Sequence, residues 1–161
     1  MTGYFALAPR ALSRDDHVAA RVLLMGALGV TPYIDRAMEV LQHAERNAHD
    51  EEHRALVIAR DGTVAALALF GVVAGASGVM KLHDVVLAPS VTVDDVGERI
   101  IGAVVEEARA DGMRLLVAEL PDDPAMGPMR ALLTANGFAE EARVSDYFRE
   151  GVALTLLRRA L

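Results

Sequence analysis

The strongest constraint on the fold of this 161-residue chain is a stretch that contains no charged residue, residues 64–80. Its length approaches the roughly 18 to 20 residues that a membrane-spanning helix needs. Small residues interrupt the stretch at four places, namely Gly71, Gly75, Ser77 and Gly78. We therefore predict two buried strands, residues 64–73 and 79–88, joined by a glycine-rich turn, and no membrane span.

A third strand is predicted immediately before this pair. Residues 55–59 form a short apolar run, and Asp61-Gly62 separates this run from the first buried strand. An Asp-Gly pair between two apolar runs is a strong signal for a two-residue hairpin. Pro89 ends the last strand of the group. The middle of the chain is therefore predicted to form a three-stranded antiparallel meander.

Two helices and a short strand, residues 4–7, are predicted before the meander. The first helix begins after Ser13, an N-cap residue with which Asp16 can form a capping box. The second helix begins at Thr31-Pro32, a cap residue followed by proline at the first helical position. Helical spacing predicts which residues of the first helix face the core. They are Val18, Val22, Met25 and Leu28.

Helices and strands alternate after the meander. The predicted elements are a helix up to residue 111, a strand over residues 113–120, a helix over 125–135 and two strands over 138–148 and 152–158. The complete order is strand, two helices, three strands, helix, strand, helix, two strands. This order predicts a single α/β domain over residues 1–161, with one central sheet flanked by helices.

The composition excludes several classes of function. The chain has no cysteine, which excludes disulfides, thiolate metal sites and a cysteine nucleophile. Its net charge of −7 makes it a poor partner for nucleic acid, because phosphate contacts need clustered lysine and arginine. The first residues do not have the pattern of a signal peptide, so we expect a soluble, cytoplasmic protein.

The common motifs of metal and nucleophile sites are not found. His17, His43, His49 and His53 do not form a metal cluster on one helix face, so the sequence predicts no metal. The chain also lacks a Gly-x-Ser-x-Gly elbow and a Walker loop. A serine hydrolase and a nucleotide-binding P-loop are therefore not indicated.

Four stretches carry a family resemblance. They are a strand that ends with proline, the loop and helix after it, a helix that runs into a Gly-Phe strand start, and a closing hairpin: residues 84–89, 91–112, 129–138 and 146–159. In this order they resemble the GNAT superfamily of acyl-CoA-dependent N-acyltransferases, and the likeness covers residues 55–161. It implies a GNAT-like α/β fold with a mixed, mostly antiparallel sheet, in the order β-α-α-β-β-β-α-β-α-β-β.

The resemblance also implies an N-acetyltransferase that moves an acetyl group from acetyl-CoA to an amine by direct transfer in a ternary complex. In the family, the fourth and fifth strands splay apart and the pantetheine arm lies between them. The matching backbone groups here belong to Val85, Val86 and Leu87. The pyrophosphate would lie at the start of the following helix, where N–H groups and the helix dipole favour anions. The matching residues there are Thr92, Val93, Asp95, Val96, Gly97 and Glu98.

The sequence departs from the family at this pyrophosphate loop. The family has glutamine or arginine, two residues, glycine, any residue, and glycine or alanine, whereas residues 92–97 match only at Gly97. Asp95 replaces a glycine, and Asp94 adds a second negative charge. Either the backbone alone binds the pyrophosphate or the affinity for acyl-CoA is reduced; one of the two aspartates is also a candidate helix cap. The alternative function is a non-catalytic, GNAT-like ligand-binding or interaction module.

Catalytic candidates follow from the chemistry of amide formation, which needs a base for the amine and a donor for the leaving thiolate. His83 is the candidate base, since its ordinary pKa suits proton transfer near neutral pH; a structural histidine bonded to Asp84 or Lys81 is the alternative. Glu119 is a candidate base or amine-binding carboxylate, or else a polar residue at a strand end.

Two tyrosines complete the set of candidates. Tyr147 is a candidate acid near the closing hairpin, and Tyr33 is a candidate wall of the substrate site. The alternative for each is an amphipathic packing residue, the more common role of such tyrosines. The acceptor is expected to be a small-molecule amine or a protein amino group, and the acidic net charge would attract a cationic one. The apolar residues 152–157 could contribute to a homodimer.

Overall fold

The computed structural model describes residues 7–91 and 93–161, without the side chains of residues 93 and 94. The strand predicted at residues 4–7 therefore lies, except for Leu7, outside the described residues. The helices are α1 His17–Leu28, α2 Ile34–Arg46, α3 Val93–Ala110 and α4 Gly127–Ala135. The strands are β1 Arg10–Ala11, β2 Arg54–Arg60, β3 Thr63–Val72, β4 Val79–Leu87, β5 Leu115–Pro121, β6 Ala139–Arg149 and β7 Val152–Ala160.

The strands form one sheet with the order β1-β2-β3-β4-β5-β7-β6. All neighbouring pairs are antiparallel except β4 and β5, which are parallel. Helices α1 and α2 pack on each other and on the sheet, and α3 packs on β2, β3 and β4 and contacts α4. The predicted α/β class, with a mixed, mostly antiparallel sheet flanked by helices, is confirmed.

The meander predicted from the uncharged stretch is also confirmed. Asp61 and Gly62 both have positive φ, 49° and 75°, as a type I′ hairpin requires, and the hairpin joins β2 to β3. Seven consecutive residues of β3, positions 64–70, are at most 4% exposed. Because side chains alternate between the two faces of a strand, both faces of β3 must be covered. No helix in the described part of the chain combines the length and the hydropathy needed to cross a membrane.

The predicted buried face of α1 is wrong in three of its four positions. Val18, Val22 and Met25 are 74%, 67% and 52% exposed, whereas Leu28 is buried. The buried face of α1 also contains Ala20, Leu23 and Leu24. Nearly every residue of this helix is apolar or small, so two different faces satisfy the helical period. The capping box before it is confirmed, because the backbone N–H of Ser13 donates to Asp16 Oδ2 at 2.8 Å.

The apolar segment 152–157 lies in the interior of the sheet. Strand β7 pairs with β5 on one edge and with β6 on the other. Both backbone edges of the segment are therefore used within the chain, and it cannot extend the sheet into a second copy. The outer strand on this side is β6, whose residues are all exposed. The homodimer stays a prediction, and residues 152–157 would take part in it through a face of the sheet and not through a strand edge.

Two irregularities in β4 shape the site. Its parallel pairing with β5 covers only Val79–Lys81 against residues 115–117, after which β5 continues to pair with β7 alone. Further along, Phe70 of β3 faces Leu82 and Leu69 faces Asp84, so that His83 is an extra residue in the ladder. Such a bulge re-aims the side chains that follow it. The sheet thus opens between β4 and β5 beside a bulge on β4.

Candidate active site

Two clefts meet where β4 leaves β5. The first, the α4 cleft, has a volume of about 300 Å³ and lies between the end of β4 and the residues around α4. The second, the α2 cleft, has a volume of about 350 Å³ and lies between α2, the middle of β4 and the end of β6. Asp84 and Met126 line both clefts. The two clefts therefore adjoin at these two residues.

The α4 cleft contains the residues that the resemblance assigned to the cofactor arm. Val85, Val86 and Leu87 line it, and Met129 and Leu132 of α4 form much of the facing wall. Within the described part of the chain, no strand pairs with residues 82–87 of β4 on the β5 side, because that pairing ends at Lys81. Alternate backbone N–H and C=O groups of β4 are thus free to bind an extended, amide-containing molecule in this apolar cleft.

The α2 cleft brings together all four side chains predicted to take part in catalysis or acceptor binding. His83, Glu119, Tyr147 and Tyr33 all line it. The Lys81 ammonium donates to Glu119 Oε2 at 2.7 Å, across the point where β4 and β5 separate. Glu119 therefore forms an ion pair with Lys81 in the wall of the cleft.

Asp84 has the most unusual environment of the acidic side chains in the two clefts. Burial raises the pKa of its carboxyl to about 7, although the charges of Lys81 and Arg36 act in the opposite direction. Near neutral pH, a substantial fraction of this carboxyl is therefore protonated and a substantial fraction ionised. A group with such a pKa can take up a proton and release it again at little cost.

His83 has the opposite perturbation. Burial, followed by the charge of Lys81, lowers the pKa of its imidazole to about 4. Its Nε2 lies 3.3 Å from the backbone oxygen of Glu52. Because a carbonyl only accepts, Nε2 carries the hydrogen in this contact. The partner of His83 is thus this carbonyl and neither Asp84 nor Lys81, and the imidazole is neutral near pH 7.

Tyr33 closes one end of the α2 cleft through a polar network. Its hydroxyl donates to Asp123 Oδ2 at 2.7 Å and accepts from Arg149 at 3.1 Å, and Arg149 also donates to Asp123 at 2.8 Å. The backbone N–H of Ala125 and these two side chains lower the pKa of Asp123 to about 2. Burial and the Asp123 hydrogen bond raise the pKa of Tyr33. Tyr33 is therefore held in place as part of the cleft wall, and its role in substrate binding stays a prediction.

Tyr147 lies beside this network at the end of β6. Its ring packs edge-on against Phe148 with centroids 5.1 Å apart, and Phe148 packs in the same way against Tyr33 at 5.9 Å. Tyr147 is 59% exposed, and its hydroxyl has no hydrogen bond to any residue that the structure describes. The hydroxyl of Tyr147 thus remains available to a ligand in the α2 cleft.

The residues assigned to the pyrophosphate are divided between surface and core. Asp95 and Glu98 are exposed in the first turns of α3, whereas Val96 and Gly97 are buried. Thr92 lies outside the described residues, as do the side chains of Val93 and Asp94. Because α3 begins at Val93, Asp94 and Asp95 lie inside its first turn and are not N-cap residues.

Gly97, the one residue of the pyrophosphate loop that matches the family, packs closely against Leu132 of α4. Packing is therefore a reason for glycine here that does not involve the cofactor. A Cβ atom at this position would overlap Cδ1 of the buried Leu132 side chain. Overpacking of about 1 to 3 kcal/mol would offset the gain of about 1 kcal/mol that alanine brings to a helix, so Gly97→Ala is expected to be neutral or to destabilise the protein by up to about 2 kcal/mol. Gly102→Ala on the same helix is the matched control: among the described residues, its Cβ would meet no atom within 4 Å beyond the backbone of its own helix. It should stabilise the protein by about 1 kcal/mol through helix propensity. Urea denaturation measures both, and equal effects would contradict the close approach of α3 and α4.

Sequence reasoning missed Asp84 as a functional residue and considered it only as a partner of His83. A signal for it was present, since it is the single acidic residue within the otherwise apolar end of β4. Its position on the cleft side, however, depends on the bulge at His83. Simple alternation along the strand would have placed Lys81, His83 and Val85 on one face and Asp84 on the other.

Comparison with known proteins agrees with this geometry. The model of the Acetyltransferase (GNAT) family matches residues 22–138. No curated protein sequence matches the chain at a significant level. Solved structures do match: a GNAT-family protein from Desulfovibrio desulfuricans is 23% identical, with a TM-score of 0.83 over 96% of this chain and 99% of that one.

Two further solved structures have the same fold. The ribosomal-protein-alanine N-acetyltransferase of Brucella melitensis is 21% identical, with a TM-score of 0.72 over 96% of this chain and 100% of that one. YncA of Salmonella typhimurium, whose structure contains acetyl-CoA as its cofactor, is 19% identical, with a TM-score of 0.71 over 97% of this chain and 94% of that one. These identities establish the fold, and the family match covers well over half of the sequence. The chain therefore belongs to the GNAT acetyltransferase family.

Proposed function

We propose that this protein is an N-acetyltransferase that passes an acetyl group from acetyl-CoA directly to an amine. The observation that carries the proposal is the meeting of the two clefts at Asp84. One cleft suits an extended thioester arm and the other suits an acceptor, and a side chain with a pKa of about 7 lies at their junction. Direct transfer is the simplest route, because the chain has no cysteine to carry the acetyl group.

The α4 cleft fits the pantetheine arm of acetyl-CoA. Its walls are apolar, and the unpaired edge of β4 next to Val85, Val86 and Leu87 offers backbone groups to the amides of the arm. The N-terminus of α3 would bind the pyrophosphate through backbone N–H groups. Asp95 and Glu98 are exposed there, and their charge would weaken that binding. When bound, acetyl-CoA supplies an activated thioester, so that a C–N bond to the amine replaces its C–S bond.

The residues of the α2 cleft would prepare the acceptor. Asp84, when ionised, accepts the proton that an ammonium group must lose before its nitrogen can attack. His83, neutral and oriented by the Glu52 carbonyl, forms the adjoining wall and is a weaker base. Glu119 with Lys81 and the hydroxyl of Tyr147 offer further polar contacts. Tyr147 is the proposed donor of a proton to the leaving thiolate.

The acceptor class is a primary amine, either a small molecule or a protein amino group. The α2 cleft combines aromatic walls with ionisable groups, a combination that suits an amine with an apolar portion. Several structural neighbours are named as N-acetyltransferases, among them one for the alanine of a ribosomal protein.

Acetyl-CoA binding tests the first half of the proposal. At a concentration 100 times its Kd, a ligand raises the free energy of unfolding by about 2.7 kcal/mol, which a thermal shift measures. Ala125→Leu should reduce this shift, because Ala125 is exposed and lines the α4 cleft. Ala131→Leu is the matched control, since Ala131 is exposed on α4 and does not line that cleft.

Release of free thiol in the presence of a panel of amines tests the second half. Amine-dependent release that is lost in Ala125→Leu and retained in Ala131→Leu would support the enzyme. A thermal shift without any thiol release would favour the alternative, a ligand-binding module of GNAT fold. If acetyl-CoA at millimolar concentration gives no thermal shift, both the enzyme and acetyl-CoA as its ligand are refuted.

A further inference from the structure

A group of metal-ligating side chains lies next to the α2 cleft. His43 is on α2, and Asp50 and His53 are on the connection between α2 and β2. One ligand atom from each of the three lies within 4.8 Å of the other two. All three residues are partly exposed, so an ion in solvent has access to them. We call these three residues the His–Asp cluster.

The Asp50 carboxylate of this cluster is held in a fixed orientation. Its Oδ1 accepts the backbone N–H groups of Glu52 and His53 at 3.0 and 3.1 Å. Its Oδ2 accepts a hydrogen bond from Nδ1 of His53 at 2.9 Å, because a carboxylate only accepts. Hydrogen bonds to one carboxylate oxygen fix the direction of the other, which is the usual arrangement behind metal-ligating carboxylates. Asp50 is thus held in place, and an ion bound here would replace the hydrogen between Oδ2 and Nδ1 of His53, which is released to solvent as a proton.

The two imidazoles of the cluster are stacked. The ring centroids of His43 and His53 are 4.5 Å apart and their planes differ by 21°. Stacked rings direct their in-plane nitrogen lone pairs side by side, so His43 must rotate before both imidazoles can bind one ion. Neutral imidazole is the form that binds metal ions. Two imidazole nitrogens with one carboxylate suit zinc, cobalt or nickel and do not suit magnesium or calcium, which prefer oxygen ligands.

We propose that His43, Asp50 and His53 bind one divalent transition-metal ion of the Zn²⁺ type, with water completing a tetrahedral shell. The ligand atoms of such a shell lie about 3.4 Å apart when the bonds are about 2.1 Å long. Asp50 Oδ2 and His53 Nδ1, now 2.9 Å apart, would separate by about 0.5 Å as the ion replaces the hydrogen between them, and rotation of the partly exposed His43 supplies the third ligand. The proposal does not depend on acetyl transfer.

The spacing of histidines in the sequence could not reveal this site. Helical i, i+4 spacing indicates only ligands that lie on one helix, whereas His43 lies on α2 and His53 lies on the loop that follows it. His49, four residues before His53, is not part of the cluster. It therefore serves as an internal control of the same residue type in the same loop.

Titration of metal-free protein with Co²⁺ tests the site directly. We expect one equivalent to bind, with the intense visible absorption of tetrahedral Co²⁺, and Zn²⁺ to displace it and raise Tm. His53→Ala should weaken Co²⁺ binding by at least about tenfold. His49→Ala should leave it unchanged, because the hydrogen bond of His49 to Asn47 uses only its backbone N–H.

A second variant distinguishes loss of the metal site from loss of the fold. Asp50→Asn keeps an oxygen that can accept the two backbone N–H groups, so it should fold normally by circular dichroism and still lose the tetrahedral absorption. The proposal is overturned if His49→Ala weakens Co²⁺ binding as much as His53→Ala does. It is also overturned if folded Asp50→Asn binds Co²⁺ like the unaltered protein, or if only the weak absorption of hydrated Co²⁺ is seen.

Discussion

Asp84→Asn is expected to lower kcat/KM for acetyl transfer by about 100- to 10,000-fold, the usual contribution of a positioned general base. The amide keeps the size of the side chain at the junction of the two clefts and removes its ability to accept a proton. Because the Asp84 pKa is about 7, kcat/KM of the unaltered enzyme should rise tenfold per pH unit below pH 7 and level off above it. Steady-state kinetics from pH 5 to 9 measure both effects.

Two controls separate Asp84 from other titrating groups. Asp35→Asn makes the same chemical change at an exposed position of α2 that does not line the cleft, so it should leave kcat/KM nearly unchanged. A second amine with a different pKa should leave the inflection near pH 7 in place, whereas an inflection due to the acceptor would move with the amine. An Asp84→Asn enzyme that retains the inflection and more than a tenth of the activity would exclude Asp84 as the base.

The same substitution is expected to stabilise the fold at alkaline pH. A folded-state pKa of about 7, against about 3.9 in an unfolded chain, corresponds to about 4 kcal/mol as an upper limit. The folded protein holds the Asp84 proton more tightly than the unfolded chain does. Its free energy of unfolding therefore falls as the pH rises from about 4 to about 7, and this contribution stays lost above pH 7. Asparagine has no such proton and avoids the loss.

Urea denaturation of both proteins at several pH values tests this expectation. The free energy of unfolding of Asp84→Asn minus that of the unaltered protein should be small and constant below pH 4, grow up to pH 7 and then remain constant. Other titrating groups cancel in this difference. A difference that does not depend on pH would show that the Asp84 carboxyl is not destabilised by burial. If Asp84→Asn loses activity and gains stability, the Asp84 carboxyl contributes to catalysis at the expense of the stability of the fold.

The element order could be predicted because local signals and core patterning agreed. Asp61-Gly62 marked the hairpin between β2 and β3, and most of the uncharged stretch belongs to β3, whose residues 64–70 are buried on both faces. The face of α1 could not be predicted, because Val18 and Leu24 are equally apolar and only tertiary packing selects between them. The local sequence pattern therefore predicted where each element lies along the chain and did not predict which face of it is buried.

The sequence predicted which side chains share the α2 cleft better than it predicted their pKa values. His83, Glu119, Tyr147 and Tyr33 do share one cleft, as the family resemblance implied. The pKa of His83 could not be predicted, because its largest cause is burial, which depends on the tertiary structure. Asp84 was missed for a related reason, since a bulge breaks the alternation by which a strand residue is assigned to a face.

The short pairing of β4 with β5 also determines how the molecule holds together when it unfolds. These strands pair at three positions, whereas β2–β3, β3–β4 and β5–β7 each pair at seven. The backbone ladder therefore contributes little to cooperativity between the half containing β1–β4 and the half containing β5–β7. Side-chain packing such as Gly97 against Leu132 must carry that coupling instead. A molecule bound in the gap would contact both halves. Its binding free energy would then be lost if either half unfolded, so the two halves would unfold together more strictly with the molecule than without it.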